Sequence, residues 1–300
     1  MGLKRPREET MGENKAEKRE KPDQATSPFM PMFENFRKEL DEHHDRRERI
    51  IKASRDITAS SKKIIFTLQR VRKLGQPMPQ FVVKGNAQYW ETIEKQYQSI
   101  SADVQGLNAF RYGSNITGGN QEFMEALSFQ HYLENQTLVS YEEAKSKIAS
   151  MSGAGGAVLL TPEDYILGIF DMVGELMRFS ITTMATNGKL PAGEPKTAGT
   201  SNRDSHEDKM DVDQQPPVTV SDGEPRNVLS DLRALRLQLE MFEPSGGRFE
   251  SDVRKKADVM RECVDKVEKA LYGLMVRGTE RPKGWVPGLR EEKRAEVESH

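Results

Sequence analysis

A regular spacing of apolar and polar positions runs through the first quarter of the chain. From Phe33 onward, steps of three and four residues join one row of positions without a slip, namely Phe36, Leu40, His43, Arg47, Ile50, Ser54, Ile57, Ser61, Ile64, Leu68 and Val71. Such a row is a heptad seam along one helix face. It predicts a single long helix, about 60 Å if unbroken. The polar members of the seam indicate a wet or partner-specific stretch.

Two further segments have helical spacing. A helix over about 87–100 places four large side chains at core spacing: Tyr89, Trp90, Ile93 and Tyr97. Another helix carries QEFMEALSFQHYLE and is predicted to begin after Gly118 and Gly119, with Asn120 as its N-cap.

A fourth helix is predicted from Pro162, because Thr161 is a suitable cap and Pro162 is favoured at the first position. Asp164 completes a pattern similar to a capping box. The rest of this helix is apolar except for one polar stripe, formed by Asp164, Gly168, Asp171, Glu175 and Arg178. The patterns together predict an all-α fold.

Composition divides the chain into segments. Residues 1–30 have almost no large apolar side chains and are predicted to be a disordered tail. A helical domain over 31–285 follows, interrupted by a disordered loop at about 186–226, and a charged tail is predicted at 286–300. The Gly/Ala/Ser-rich stretch near 150–158 is typical of a flexible connection.

Overall composition excludes several classes of protein. A net charge of −2 argues against a uniformly basic nucleic-acid-binding surface. The single cysteine, Cys263, excludes an intrachain disulfide framework, favours a reducing compartment and is interpreted as a core thiol. No run approaches the roughly 18 apolar residues of a membrane span. We therefore expect a soluble intracellular protein with no membrane contact.

The N-terminal tail carries basic residues in two clusters, Lys4, Arg5 and Arg7, then Lys15, Lys18, Arg19 and Lys21. The clusters resemble a two-part nuclear import signal with a short spacer, although a solvated charge run explains them equally well. Both cytoplasmic and nuclear locations are predicted on this basis.

Candidate chemistry comes from two acidic pairs, Glu122 with Glu125 and Asp171 with Glu175. Residues three or four apart share a helix face, so two such helices packed together could hold a hard divalent cation. A solvated helix face is the alternative explanation, and Glu122 near a helix start would also be favoured by the helix dipole. Zinc-ligand spacing, a Gly-rich phosphate loop and a nucleophile elbow are not found in the sequence.

Several blocks resemble the translin superfamily, and more closely its translin-associated factor X branch. They are ELDEHHDRRERIIKASRDITASSKKIIFTLQRV, EALSFQHYLENQTLVSYEEA, LTPEDYILGIFDMVGELMR and KALYGLMVRGTERPKG. The resemblance covers most of 33–185 and 228–285. The tail, the connection near 150 and the loop at 186–226 lie outside it.

The resemblance implies a translin-like bundle of about seven helices that joins translin subunits in a hollow, roughly octameric shell. It also implies that this chain is the catalytic subunit, an Mg²⁺-dependent endoribonuclease. The expected substrate is mainly single-stranded RNA in small-RNA processing, and DNA is another possible ligand of the family. The acidic motif of the family falls on Glu122, Glu125 and Asp171, expected to be catalytic and metal-binding, with Glu175 as a further metal ligand. Candidate RNA contacts are Arg46, Arg49, Arg111 and Arg178.

Two alternative functions stay open. An all-α nucleotide pyrophosphatase builds a similar Mg²⁺ site from acidic pairs but hydrolyses free nucleoside triphosphates. A non-catalytic structural partner would stabilise translin and bind nucleic acid or proteins. Carboxylates buried by salt bridges to Arg178 or to lysines would support the structural partner.

Overall fold

The computed structural model describes residues 27–193, 226–244 and 246–277, and these residues form seven α-helices. The predicted all-α fold with a long first helix is confirmed. Both predicted tails fall mostly outside the described residues, as do the basic clusters and most of the predicted loop. The helices are α1 (Met30–Leu68), α2 (Gln80–Ile100), α3 (Leu107–Asn135), α4 (Tyr141–Met151), α5 (Pro162–Asn187), α6 (Val228–Glu240) and α7 (Gly247–Arg277).

The chain divides into two compact units, with the boundary between Asp45 and Arg46. In the first unit, Phe33 and Phe36 meet edge to face with ring centroids 6.5 Å apart, and both rings are exposed. Leu40, one turn further along the seam, is exposed as well. The predicted seam is therefore an uncovered apolar face in this unit.

In the second unit the same seam is part of the core. Its apolar members are almost fully buried, namely Ile50, Ile57, Ile64, Leu68 and Val71. Ser54 and Ser61 are buried too, so the interpretation of a wet stretch is wrong at these positions. The Ser54 hydroxyl accepts a hydrogen bond from the backbone N–H of Gly119 at 3.1 Å, which joins α1 to α3.

Helix α3 begins at Leu107 with Gly106 as its N-cap, fourteen residues before the predicted cap, so Asn120 as an N-cap is wrong. Gly119 lies inside the helix. A Cβ at this position would be only 3.1 Å from the Cα and carbonyl oxygen of Ser54. Its missing side chain allows α1 and α3 to approach closely. Glu122 is consequently in mid-helix, where the helix dipole does not explain it.

The start of α5 agrees with the prediction in one respect and departs from it in another. The Thr161 hydroxyl accepts a hydrogen bond from the backbone N–H of Asp164 at 3.1 Å, so the N-cap is confirmed. The Asp164 carboxylate, however, is buried and accepts hydrogen bonds from Thr117 at 2.9 Å, Gln121 at 3.1 Å and Asn120 at 3.3 Å. The side chain of Asp164 therefore joins α5 to α3 by hydrogen bonds and does not complete a capping box.

One turn further along, Gly168 lies where α5 approaches α3 closely. A Cβ at this position would be 2.5 Å from the Cβ of Met124 and 3.0 Å from the carbonyl oxygen of Gln121. The polar stripe of α5 therefore faces α3, an arrangement on which the metal-site hypothesis depends.

The connection near 150–158 is packed, so the prediction of a flexible link is wrong. Ser152 is fully buried; its hydroxyl donates to the carbonyl of Ile148 at 2.7 Å and accepts from the N–H of Val158 at 3.0 Å. Gly155 lies against the 3₁₀ turn that follows α2, where a Cβ would be 2.9 Å from the backbone nitrogen of Ala102.

The predicted loop at 186–226 is bounded differently in the structure. Helix α5 continues to Asn187 and ends at Gly188, which has a left-handed φ of 66°. Beyond it, the N–H of Val228 donates to the carbonyl of Pro191 at 3.0 Å, so the chain on either side of residues 194–225 is paired. Within the described residues, no helix is long and apolar enough to cross a membrane.

Candidate functional site

The structure brings the four predicted carboxylates together between α3 and α5. Glu122 and Glu125 come from α3, and Asp171 and Glu175 come from α5. Burial raises the pKa of Glu125 to about 8, and the negative charges of Asp171, Glu122 and Glu175 add to the rise, while Lys256 opposes it. The charges of the other three carboxylates therefore all act on Glu125.

Glu125 is the member of this carboxylate cluster with the least compensation. Its carboxyl group is largely buried, and the described part of the chain supplies no hydrogen bond to lower its pKa. The raised pKa, about 8, favours the protonated form of Glu125 relative to an exposed glutamate. A cation placed beside Glu125 would favour the ionised form.

Two lysines neutralise the neighbouring carboxylates. The Nζ of Lys62 on α1 lies 3.2 Å from Glu122 Oε1, and its side chain is 63% exposed. The Nζ of Lys256 on α7 contacts both carboxylate oxygens of Asp171. Burial raises the pKa of Glu122, and the hydrogen bond from Lys62 opposes that rise.

Glu175 is buried and held from two sides. Its Oε1 accepts a hydrogen bond from Arg178 NH1 at 2.6 Å, one turn further along α5. Its Oε2 accepts from Gln69 Nε2 at 2.7 Å, and the same amide donates to the Glu175 backbone carbonyl at 2.9 Å. Both carboxylate oxygens of Glu175 therefore have a hydrogen-bonding partner.

The carboxylate cluster fits a hard divalent cation in its chemistry but is not a preformed metal site. Oxygen donors are the ligands that Mg²⁺ prefers, and few are needed because this ion keeps several waters. Yet among residues 27–193, 226–244 and 246–277, no three His, Cys, Asp or Glu side chains are arranged to hold a metal. The ion pairs with Lys62 and Lys256 turn two of the carboxylates toward nitrogen donors.

The arginines predicted to contact RNA lie in different surroundings. Arg46 and Arg49 pair with Asp103, at 3.2 Å and 2.9 Å. Burial acts to raise the pKa of Asp103, but the hydrogen bonds and charges of these two arginines lower it overall. Arg178 is bound to Glu175 at the carboxylate cluster, with a side chain that is 62% exposed. Arg111 precedes Glu122 by three turns of α3, about 16 Å along the axis.

Sequence reasoning missed a basic cavity of about 250 Å³, open to solvent, near the end of α5. It is lined by Arg72, Lys73 and Lys189, and none of its described lining residues is acidic. Arg72 is held by hydrogen bonds to the carbonyls of Gln69 and Val71, both at 2.8 Å. Gln69 thus links this cavity to Glu175. Adjacent basic residues at 72 and 73 are the one sequence signal that points to it.

Comparisons with known proteins agree with this architecture. The Translin family model matches residues 45–278. Translin-associated protein X from Pongo abelii is 30% identical over 277 residues, which cover 86% of this chain and 82% of that protein. The Translin-associated protein X homolog from Schizosaccharomyces pombe is 29% identical over 246 residues, 82% of this chain and 87% of that protein. Among solved structures, the AfC3PO – duplex RNA complex aligns with a TM-score of 0.53 and 18% identity, covering 83% of this chain and 100% of the matched chain.

Proposed function

The chain belongs to the translin family, and from that premise we propose that it is the catalytic subunit of a complex with translin subunits. In this role it hydrolyses RNA phosphodiester bonds with Mg²⁺ held by the carboxylates of α3 and α5. The observation that carries the proposal is the meeting of Glu122 and Glu125 with Asp171 and Glu175 across the close α3–α5 contact at Gly168. Four carboxylates in a partly buried site repel one another unless protons or cations intervene.

Each carboxylate has a role that follows from its surroundings. Glu125 and Asp171 act as direct ligands, because Glu125 lacks compensation and Asp171 faces it from α5. Glu122 acts as a further ligand or holds a water for attack, while Glu175, fixed by Gln69 and Arg178, supports the cluster. Bound Mg²⁺ would supply a water of lowered pKa and would neutralise charge on the phosphate oxygens. Glu125 would release its proton when the cation binds.

RNA is the substrate class that best fits the surroundings of the site. The partly exposed Arg178 lies beside the carboxylate cluster, and Arg72 and Lys73 line a basic cavity connected to it through Gln69. Cations in such positions would hold phosphates on either side of the bond that is cut. The matched AfC3PO structure contains duplex RNA, so both single-stranded and duplex RNA belong in the test. Family membership favours RNA over the nucleoside triphosphate of the pyrophosphatase alternative.

A translin subunit is the proposed partner, and the first unit of the chain supports a need for one. Phe33, Phe36 and Leu40 are 60%, 51% and 67% exposed on consecutive turns of α1. An apolar face of this kind is typical of a protein–protein contact. Co-assembly with translin subunits would cover it.

A non-catalytic structural subunit is the second candidate function. It is favoured by the ion pairs that Lys62, Arg178 and Lys256 form with three of the four carboxylates. If these pairs persist in the assembled complex, the carboxylates stabilise the helix bundle and hold no metal.

RNA cleavage by the assembled complex separates the two candidates. The chain would be co-expressed with a translin subunit and given labelled single-stranded and duplex RNA, with Mg²⁺ or EDTA. We expect Mg²⁺-dependent cutting by wild type and a loss of at least about 100-fold in Glu125→Gln and Asp171→Asn. Glu142→Gln, at an exposed position on α4, is the matched control and should cut like wild type. Equal cutting by all variants would leave this chain as the structural subunit.

A further inference from the structure

We propose that Lys256 is a built-in counter-cation of the carboxylate cluster, holding Asp171 until a divalent cation displaces its ammonium group. Lys256 would then set the metal concentration at which the site fills. The inference deepens the proposed function and rests on it, because it assumes that the same carboxylates bind Mg²⁺.

The position of Lys256 is the first line of support. Its Nζ lies against both oxygens of Asp171, the way a cation is held by a bidentate carboxylate. The side chains of Lys256 and Asp171 are only 26% and 35% exposed. The charge of Lys256 also acts on Glu122 and Glu125 of α3. The ammonium group of Lys256 therefore contacts the oxygens of Asp171 directly and also favours the charged forms of two carboxylates on α3.

Lys62 provides an internal comparison. It contacts a single oxygen of Glu122 at 3.2 Å and is 63% exposed, so water already screens that pair. The pair of Lys256 and Asp171 is less hydrated and has two contacts. Breaking it should therefore have a larger effect on metal binding than breaking the Lys62 pair.

The surroundings of Lys256 allow its side chain to move while its backbone stays in place. On α7 the neighbouring positions Val253, Ala257 and Met260 are buried in the core, which fixes the helix. The lysine side chain has four flexible carbons ending in a strongly hydrated charge. It can leave Asp171 for water once a divalent cation provides a stronger charge for the same oxygens. The charge of Asp171 is then neutralised in both states, by Lys256 when no metal is bound and by the metal when it is bound.

Equilibrium binding of Mn²⁺ to the assembled complex tests the inference without relying on activity. Free Mn²⁺ would be measured by electron paramagnetic resonance for wild type, Lys256→Met, Lys256→Arg and Lys62→Met. The site of interest is defined as the binding that Glu125→Gln abolishes in each background. We expect Lys256→Met to lower the dissociation constant by at least about tenfold, since a charged contact to the same oxygens is lost. Lys62→Met should change it by less than about threefold, and Lys256→Arg should not tighten it.

The possible results separate the inference from the proposed function. A dissociation constant in Lys256→Met equal to or weaker than that of wild type would overturn the inference and leave the metal site standing. Absence of any binding that depends on Glu125 in both wild type and Lys256→Met would overturn the proposed function and the inference with it. Lys256→Gln, which keeps a polar end on a similar stem, should also bind more tightly and replaces the Met variant if that one does not assemble.

Discussion

Gly168→Ala should damage both the stability of the helix bundle and its carboxylate cluster. The added Cβ would be 2.5 Å from the Cβ of Met124 and 3.0 Å from the carbonyl oxygen of Gln121. Carbon atoms normally stay about 3.5–4.0 Å apart, so α3 and α5 must separate by about 1 Å. Neither obstructing atom can rotate away, because one is a carbonyl oxygen and the other is attached directly to the backbone.

The magnitude follows from two opposing effects. Overpacking of this kind costs about 1–3 kcal/mol, whereas alanine gains about 1 kcal/mol over glycine in helix propensity. We expect Gly168→Ala to lower the free energy of unfolding by up to about 2 kcal/mol. Separation of α3 from α5 should also move Glu125 away from Asp171 and weaken Mg²⁺-dependent cleavage.

Gly174→Ala is the matched control on the same helix, because a Cβ at this position would meet nothing within 4 Å. Its propensity gain should make it equal to wild type or more stable by up to about 1 kcal/mol. Chemical denaturation of the assembled complex at fixed subunit concentration would compare the two variants. Equal stability of Gly168→Ala and Gly174→Ala would refute the close contact between α3 and α5.

Three further predictions concern other parts of the second unit. Gly119→Ala should be less stable than Gly118→Ala by about 1 kcal/mol in denaturation, because its Cβ would press on Ser54, whereas a Cβ at Gly118 meets open space and both gain the same helix propensity. In EDTA, the free energy of unfolding of wild type should fall by about 2–4 kcal/mol as the pH rises from 5 to 9, where the upper figure is the full effect of the shift and the lower one allows for solvent screening. In the folded state the pKa of Glu125 is about 8, above its ordinary value of 4.5. The folded state therefore binds this proton more tightly than the unfolded state, and the stability that the proton contributes is lost as the pH rises. Glu125→Gln should flatten this part of the pH profile, and an unchanged slope would count against the raised pKa. Asp103→Asn should lower the melting temperature, because it removes the carboxylate that pairs with two arginines of α1.

Sequence periodicity predicted the features that depend on neighbours within one helix. The seam from Ile50 to Leu68 is buried as its spacing predicts, and Thr161 caps α5. The two acidic pairs were found for the same reason, since residues three or four apart share a face. The family resemblance then implied a translin-like helix bundle, and the structure and the family match confirm the fold.

Contacts between distant helices could not be read from the sequence. Gly119 looked like a helix boundary because glycine is unfavourable inside helices, yet contact with α1 outweighs that preference. Lys256 joins Asp171 across 85 positions of the chain, and nothing in the local pattern of α7 indicates this partner. The glycine-rich stretch before α5 packs against the turn after α2, which is distant in the sequence. Local composition does not show this contact and therefore predicted a flexible connection.

Anomalous scattering from Mn²⁺ in crystals of the assembled complex is the most direct test of the central claim. A metal site on this chain predicts an anomalous peak between α3 and α5, bounded by the carboxylates of Glu125 and Asp171, with the Lys256 ammonium turned away from Asp171. A Mn²⁺ peak only on the translin partner, with Lys256 still paired to Asp171, would contradict the claim and assign this chain a structural role.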